Sequence, residues 1–173
     1  MEGRAGLKSD ERLMLEFRGG SQAAFDELFA RFRQPVYRFF ARRLGNVERA
    51  KELTQDTFLA VIRAAVRYEP RASVKTWLFA IAMKVLWGER RRHRESARLP
   101  EIVFEGDVVS AIWVRQGLER LDADEREILM LREYEQLSYD EIAELLELPV
   151  NTVRSRLFRA RAALKASMEV ANA

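Results

Sequence analysis

Between Asn151 and Lys165 the chain sets Asn151, Thr152, Arg154, Ser155, Phe158, Arg159 and Lys165 among apolar residues at helical spacing. Val153, Leu157, Ala160 and Leu164 recur at i, i+4, i+7 and i+11, one stripe that turns inward and leaves the polar set outside. An arginine fork pairs bidentately with a guanine edge, and a serine hydroxyl reaches a base or a phosphate. Asn151 and Thr152 stand where backbone N–H groups of a first helical turn meet a phosphate. This is the chemistry of nucleic-acid binding. Other chemistries are excluded. Cysteine is absent, which removes disulfides, thiolate metal sites and thiol nucleophiles. The one histidine, His93, removes a multi-histidine metal site. No nucleophile–base pair, metal cluster or glycine-rich phosphate loop is visible, so the reading is a binding protein without a cofactor and not an enzyme.

The elements that position these residues follow from local signals. Ser138 to Glu141 has the spacing of a capping box and opens the short helix IAELLEL, which ends before Pro149. A last helix runs from about Val150 to Met168. The pair reads as a helix-turn-helix, with Ala143 at the close crossing and Ile142, Leu146, Leu148, Val153 and Leu157 as the core between the helices. Glu147 stands in the turn where such motifs often use Gly. An antiparallel helical hairpin with a solvated basic face has the same spacing. Charge separates the two readings. Residues 112–147 carry 4 basic and 11 acidic side chains, whereas residues 148–173 carry 5 and 1. A merely solvated surface has no need to sort charge in this way.

Upstream, Trp113–Leu121 reads as helical, and Asp122–Glu125 has capping-box spacing that opens a helix to about Tyr134. Residues 95–111 lack a period, contain Pro100 and Gly106, and are acidic, so they read as a flexible linker. The N-terminal part predicts four helices. The first covers residues 10–18 with Leu13, Leu15 and Phe17 as its apolar set. The second runs from Ala23 to Leu44 behind a Ser21 cap, and Pro35 is expected to kink or divide it. The third runs from Val47 to Arg67 and the fourth from Ser73–Thr76 to about Arg94. Gly88 lies in the basic half of the fourth helix, where bending or fraying is expected. Residues 1–94 carry 20 basic and 11 acidic side chains. With only 8 Gly and 4 Pro in 173 residues, few turns are needed. The expected fold is all-α: a four-helix domain over 1–94, the linker 95–111, and a helix-turn-helix domain over 112–173. The longest apolar run, Trp77–Met83, has seven residues, against about 20 for a membrane span. No apolar leader is visible at the N-terminus, so no membrane insertion and a cytoplasmic location are expected.

Two stretches carry a family resemblance. NVERAKELTQDTFLAVIRA followed by SVKTWLFAIAMKVLWGERRRHR resembles the first conserved domain of extracytoplasmic-function (ECF) sigma factors of bacterial RNA polymerase. GLERLDADEREILMLREYEQLSYDEIAELLELPVNTVRSRLFRARAALK resembles their second. The likeness spans residues 20–168, in the family's order. It implies a protein that binds core RNA polymerase through the clamp helices and the flap and directs promoter-specific initiation. Its first domain would recognise and melt the −10 element, and its second would read the −35 element in duplex DNA. The linker would enter the polymerase, and an anti-sigma factor would hold the protein inactive.

Carried over by residue, Glu52, Leu53, Gln55, Asp56 and Leu59 match the segment that docks on the clamp helices; Glu52, Gln55 and Asp56 form its polar edge, while Leu53 and Val61 face inward. Arg71, Ser73 and Lys75 match the pocket for an extruded base, and Trp77 matches the family's tryptophan, read here as core. Lys84, Arg90, Arg91, Arg92 and Arg94 would line the single strand. Asn151, Thr152, Arg154, Ser155, Phe158 and Arg159 would face the −35 duplex. The family commonly has Asn where Lys84 stands and Asp where Gly88 stands. Lysine offers only donors where asparagine offers both donor and acceptor, so the −10 readout is expected to differ. Pro149 replaces a frequent serine cap. A free-standing helix-turn-helix regulator and a helical adaptor whose basic faces bind protein are the competing readings.

Overall fold

The computed structural model describes residues 8–93 and 108–171. These form eight α-helices and no strand: α1 Asp10–Arg18, α2 Gln22–Leu44, α3 Val47–Ala64, α4 Val74–Arg92, α5 Val108–Glu119, α6 Ala123–Glu133, α7 Tyr139–Leu146 and α8 Val150–Ala171. A 3₁₀ turn, Ala65–Arg67, extends α3. The chain divides into two compact units, Met1–Phe40 with Asn46–Leu99, and Ala41–Gly45 with Pro100–Ala173.

The first unit is capped at nearly every start. Ser9, Asn46 and Ser73 accept the N–H groups of Arg12, Arg49 and Thr76 into α1, α3 and α4. Ser21 accepts that of Ala24 at 3.3 Å and opens α2 as expected. The core combines Leu13 and Met14 of α1, Phe32, Val36 and Phe39 of α2, Leu53 and Phe58 of α3, and Leu78, Phe79 and Leu86 of α4. Each fully buried side chain of this size contributes about 1.5–3 kcal/mol. Three expectations change. Met14 takes the inward place read for Leu15, which is exposed. Pro35 lies inside an undivided α2, because buried Phe32 and Val36 bracket it and their packing offsets the missing N–H. Helix α4 continues through Gly88 to Arg92.

In the second unit α8 is the central element, packing on α5, α6 and α7. Val153, Leu157 and Ala160 are buried along it, and Leu164 is half-buried. A Cβ built on Gly117 of α5 would lie 2.4 Å from Leu164 Cδ1, so glycine permits the close approach of α5 to α8. Helix α5 starts at Val108, inside the segment read as linker. Residues 95–107 and the side chain of Trp113 lie outside what is described.

Candidate nucleic-acid and protein interfaces

The helix-turn-helix is built on backbone chemistry. Ser138 N–H donates to Glu141 Oε2 at 2.7 Å, and Glu141 N–H donates to Ser138 Oγ at 3.1 Å, closing the expected capping box. At the other end of α7, Glu147 takes a left-handed conformation with φ of 55°. Leu148 N–H then reaches Ala143 C=O at 2.9 Å, and Glu147 N–H reaches Glu144 C=O at 3.3 Å, a Schellman closure. Pro149 C=O accepts from Thr152 and Val153 and starts α8. Ile142, Val153 and Leu157 are buried as read, but Leu145 fills the place assigned to Leu146, which is half-buried with Leu148. Ala143 is also half-buried.

The outward face of α8 presents Asn151, Arg154, Ser155, Phe158 and Arg159, with Thr152 half-buried beside them. At 100° per residue, Ser155 and Phe158 lie near its middle, with Arg154 on one side and Arg159 on the other. Phe158 is 76% exposed, far above what packing requires. Arg154, Phe158, Arg161, Lys165 and Tyr139 line a groove of about 470 Å³. The acidic block of α6 faces the arginines of α8. Arg156 donates to Asp124 at 2.8 Å, Arg159 Nε to Glu125 Oε1 at 2.7 Å, and Arg161 to Glu133 at 2.6 Å. The spacing read as a capping box at Asp122 therefore closes on one side only. Asp122 accepts the Glu125 N–H at 2.7 Å, while the Glu125 carboxylate is engaged by Arg159.

In the first unit, the loop before α4 carries Arg71, Ser73 and Lys75. Arg71 pairs with Glu69 at 2.8 Å, Lys75 is half-buried, and the Ser73 hydroxyl serves as the α4 cap. Residues far away in the sequence brace this loop. Arg18 donates to Tyr68 C=O at 3.0 Å, and Glu11 accepts the Val74 N–H at 3.3 Å. Tyr68 is fully buried, meets Trp77 edge-on at 5.2 Å, and donates its hydroxyl to Ala72 C=O at 3.2 Å. Burial pushes that hydroxyl's pKa up, so it remains a protonated donor. No local motif marks Arg18, Glu11 or Tyr68 as supports. Lys84, Arg90, Arg91 and Arg92 are exposed along α4, while Arg94 lies outside the described residues.

On α3, Glu52, Gln55, Asp56 and Leu59 are exposed together. Leu53 is fully buried with Val61, in line with the inward reading of both, so it serves the core beneath the exposed edge. Two further apolar residues, Ile62 and Val66, follow Leu59 at i+3 and i+7 and are 43% and 71% exposed. Their apolar character gives no sign that they point outward.

Known proteins match both parts of the chain. Residues 28–95 match the family Sigma-70 region 2, and residues 111–164 match Sigma-70, region 4. The ECF RNA polymerase sigma factor SigC of Mycobacterium tuberculosis is 36% identical over 167 residues, covering 91% of this chain and 90% of its own. The RNA polymerase sigma-H factor of Pseudomonas aeruginosa is 30% identical, covering 94% and 95%. The solved structure of CnrH with the cytosolic domain of CnrY superposes with a TM-score of 0.71 at 26% identity, covering 94% of this chain and 99% of that one. The sigma factor RpoE of Bartonella quintana, solved with the anti-sigma factor NepR, shares the fold with a TM-score of 0.71 at 22% identity, covering 84% and 97%. The chain belongs to the extracytoplasmic-function sigma factors of bacterial RNA polymerase, which bind the core enzyme and direct promoter-specific initiation.

Proposed function

We propose that the two units divide promoter recognition between them, around the segment 95–111 that separates domains 1–94 and 112–173. Helix α8 enters the major groove of the −35 element, where Arg154 and Arg159 take guanine edges or phosphates and Ser155 and Phe158 take the bases between. Arg71, Ser73 and Lys75 receive an extruded −10 base, and Lys84 with Arg90, Arg91 and Arg92 guides the single strand. The α3 edge of Glu52, Gln55, Asp56 and Leu59 docks on the clamp helices, and the second unit docks on the flap. The protein acts in the cytoplasm by binding and not by catalysis; no helix among the described residues is long and apolar enough to cross a membrane. An anti-sigma factor holds it inactive, as the family resemblance implies.

The observation that carries this reading is the exposed face of α8, with an unburied Phe158 between two outward arginines. A single exposed apolar side chain is ordinary on a protein surface; what supports the reading is its place between two outward arginines on the second helix of a helix-turn-helix. The test is promoter selection by holoenzyme carrying Arg154→Ala or Arg159→Ala. Each is expected to relax preference at its own −35 position by roughly 1–3 kcal/mol. A uniform loss across all sequences would reduce these residues to phosphate contacts.

A further inference from the structure

Arg159 and Glu125 stand 34 positions apart, on α8 and α6, and meet at 2.7 Å. The contact is asymmetric. The Glu125 side chain is 14% exposed, whereas that of Arg159 is 59% exposed. Only Nε of Arg159 is engaged; among the described residues its two terminal nitrogens have no partner. Glu125 also departs from its local role. It occupies the third position of α6 behind the Asp122 cap, from which a glutamate commonly reaches back to the cap N–H. The equivalent Glu141 does so in α7, but Glu125 turns to Arg159.

We infer that Glu125 is a positioning residue for −35 recognition: it holds Arg159 by Nε and leaves the terminal pair of nitrogens as a fork aimed at a guanine edge. The inference rests on the reading of α8 as the −35 helix. A guanine offers O6 and N7 side by side, and the terminal guanidinium nitrogens match that spacing with two parallel N–H groups. A free arginine must give up rotamer freedom to make this pair. One already fixed at Nε gives up less, which converts to roughly a two- to tenfold gain in the preference for guanine. Glu125 itself touches no base. Asp124, paired with Arg156, and Glu133, paired with Arg161, form similar contacts on residues outside the set read as facing bases.

The test measures binding of holoenzyme to promoter duplexes carrying each of the four bases at every −35 position, for the unmodified protein, Glu125→Ala, Glu125→Gln, Arg159→Ala and the double variant Glu125→Ala/Arg159→Ala. Glu125→Ala is expected to lower selectivity roughly two- to tenfold at the one position identified by Arg159→Ala, and to change nothing further in the Arg159→Ala background. Glu125→Gln keeps an oxygen acceptor for Nε and is expected to restore most of the selectivity. If Glu125→Ala tightens binding to every sequence, Glu125 is a competitor of DNA and the inference fails. If it weakens every sequence equally, its role is only structural and the inference also fails. If Arg159→Ala shifts no base preference, the −35 reading of Arg159 fails with it, and that outcome is distinct from the other two.

Discussion

Arg49 on α3 grips Glu89 on α4 with two parallel hydrogen bonds, Nε to Oε1 and Nη2 to Oε2, each 2.6 Å. The Glu89 carboxylate is buried near the end of the helix that carries the Arg90–Arg92 cluster, and Arg92 and His93 approach it at 3.8 and 2.9 Å. Arg49 also pairs with Glu52, on the edge proposed to meet the polymerase. One guanidinium thus ties α3 to the basic end of α4.

Acid sensitivity of the first unit follows from this pair. The hydrogen bonds from Arg49 hold the Glu89 carboxyl below its ordinary value of 4.5. A depressed folded value means that the contribution is complete above the unfolded pKa and is lost as pH falls through the folded one. Glu89→Gln is expected to cost roughly 1–2 kcal/mol at neutral pH, kept low because Arg49 is partly solvated. It should also flatten the loss of stability below pH ~4.5. Urea melts from pH 3 to 7 measure both effects. An acid arm as steep as that of the unmodified protein would remove Glu89 as its source.

Gly88 interrupts α4 without breaking it. A Cβ there would meet only Arg91 Nη2, at 3.9 Å. Gly88→Ala is therefore expected to raise stability by about 0.5–1 kcal/mol, the helix-interior difference between the two residues. A thermal melt checks this, and destabilisation would show that the position needs its freedom.

Glu147 closes α7 in a conformation that favours glycine, with φ of 55° and ψ of 43°. Glu147→Gly is expected to stabilise the second unit by roughly 1 kcal/mol through relief of that strain. Lower stability in denaturant melts would mean that the glutamate side chain supports the turn in another way.

The exposed α3 face should control association with core polymerase. Asp56→Arg and Val66→Asp are each expected to weaken it at least about fivefold, with unchanged helix content by circular dichroism. Leu53→Asp should instead unfold the first unit, because that side chain is fully buried. Wild-type affinity in both surface variants would move the docking surface elsewhere.

Periodicity and capping made much of the fold legible. The stripe Val153–Leu157–Ala160 reads directly from spacing, and the box at Ser138–Glu141 from residue type. Periodicity failed where it depended on relative packing. Leu15 and Met14 are both apolar neighbours, and only the partner helices decide that Met14 turns inward. Ile62 and Val66 look like core residues because apolar side chains usually are. The braces from Glu11 and Arg18 to the α4 loop, and from Glu125 to Arg159, join residues 34 to 63 positions apart. Local patterns contain no record of such pairs. Pro35 does not divide α2, where buried Phe32 and Val36 flank it, a tertiary effect on a local rule.

The most direct test of the account adds the chain to sigma-free core RNA polymerase with a library of randomised promoters and sequences the transcripts. A stable complex is expected, with defined start sites that share a −35 and a −10 sequence, while the chain alone binds duplex DNA weakly. Tight binding of the free chain to a palindromic site, with neither a complex with core nor defined starts, would contradict it.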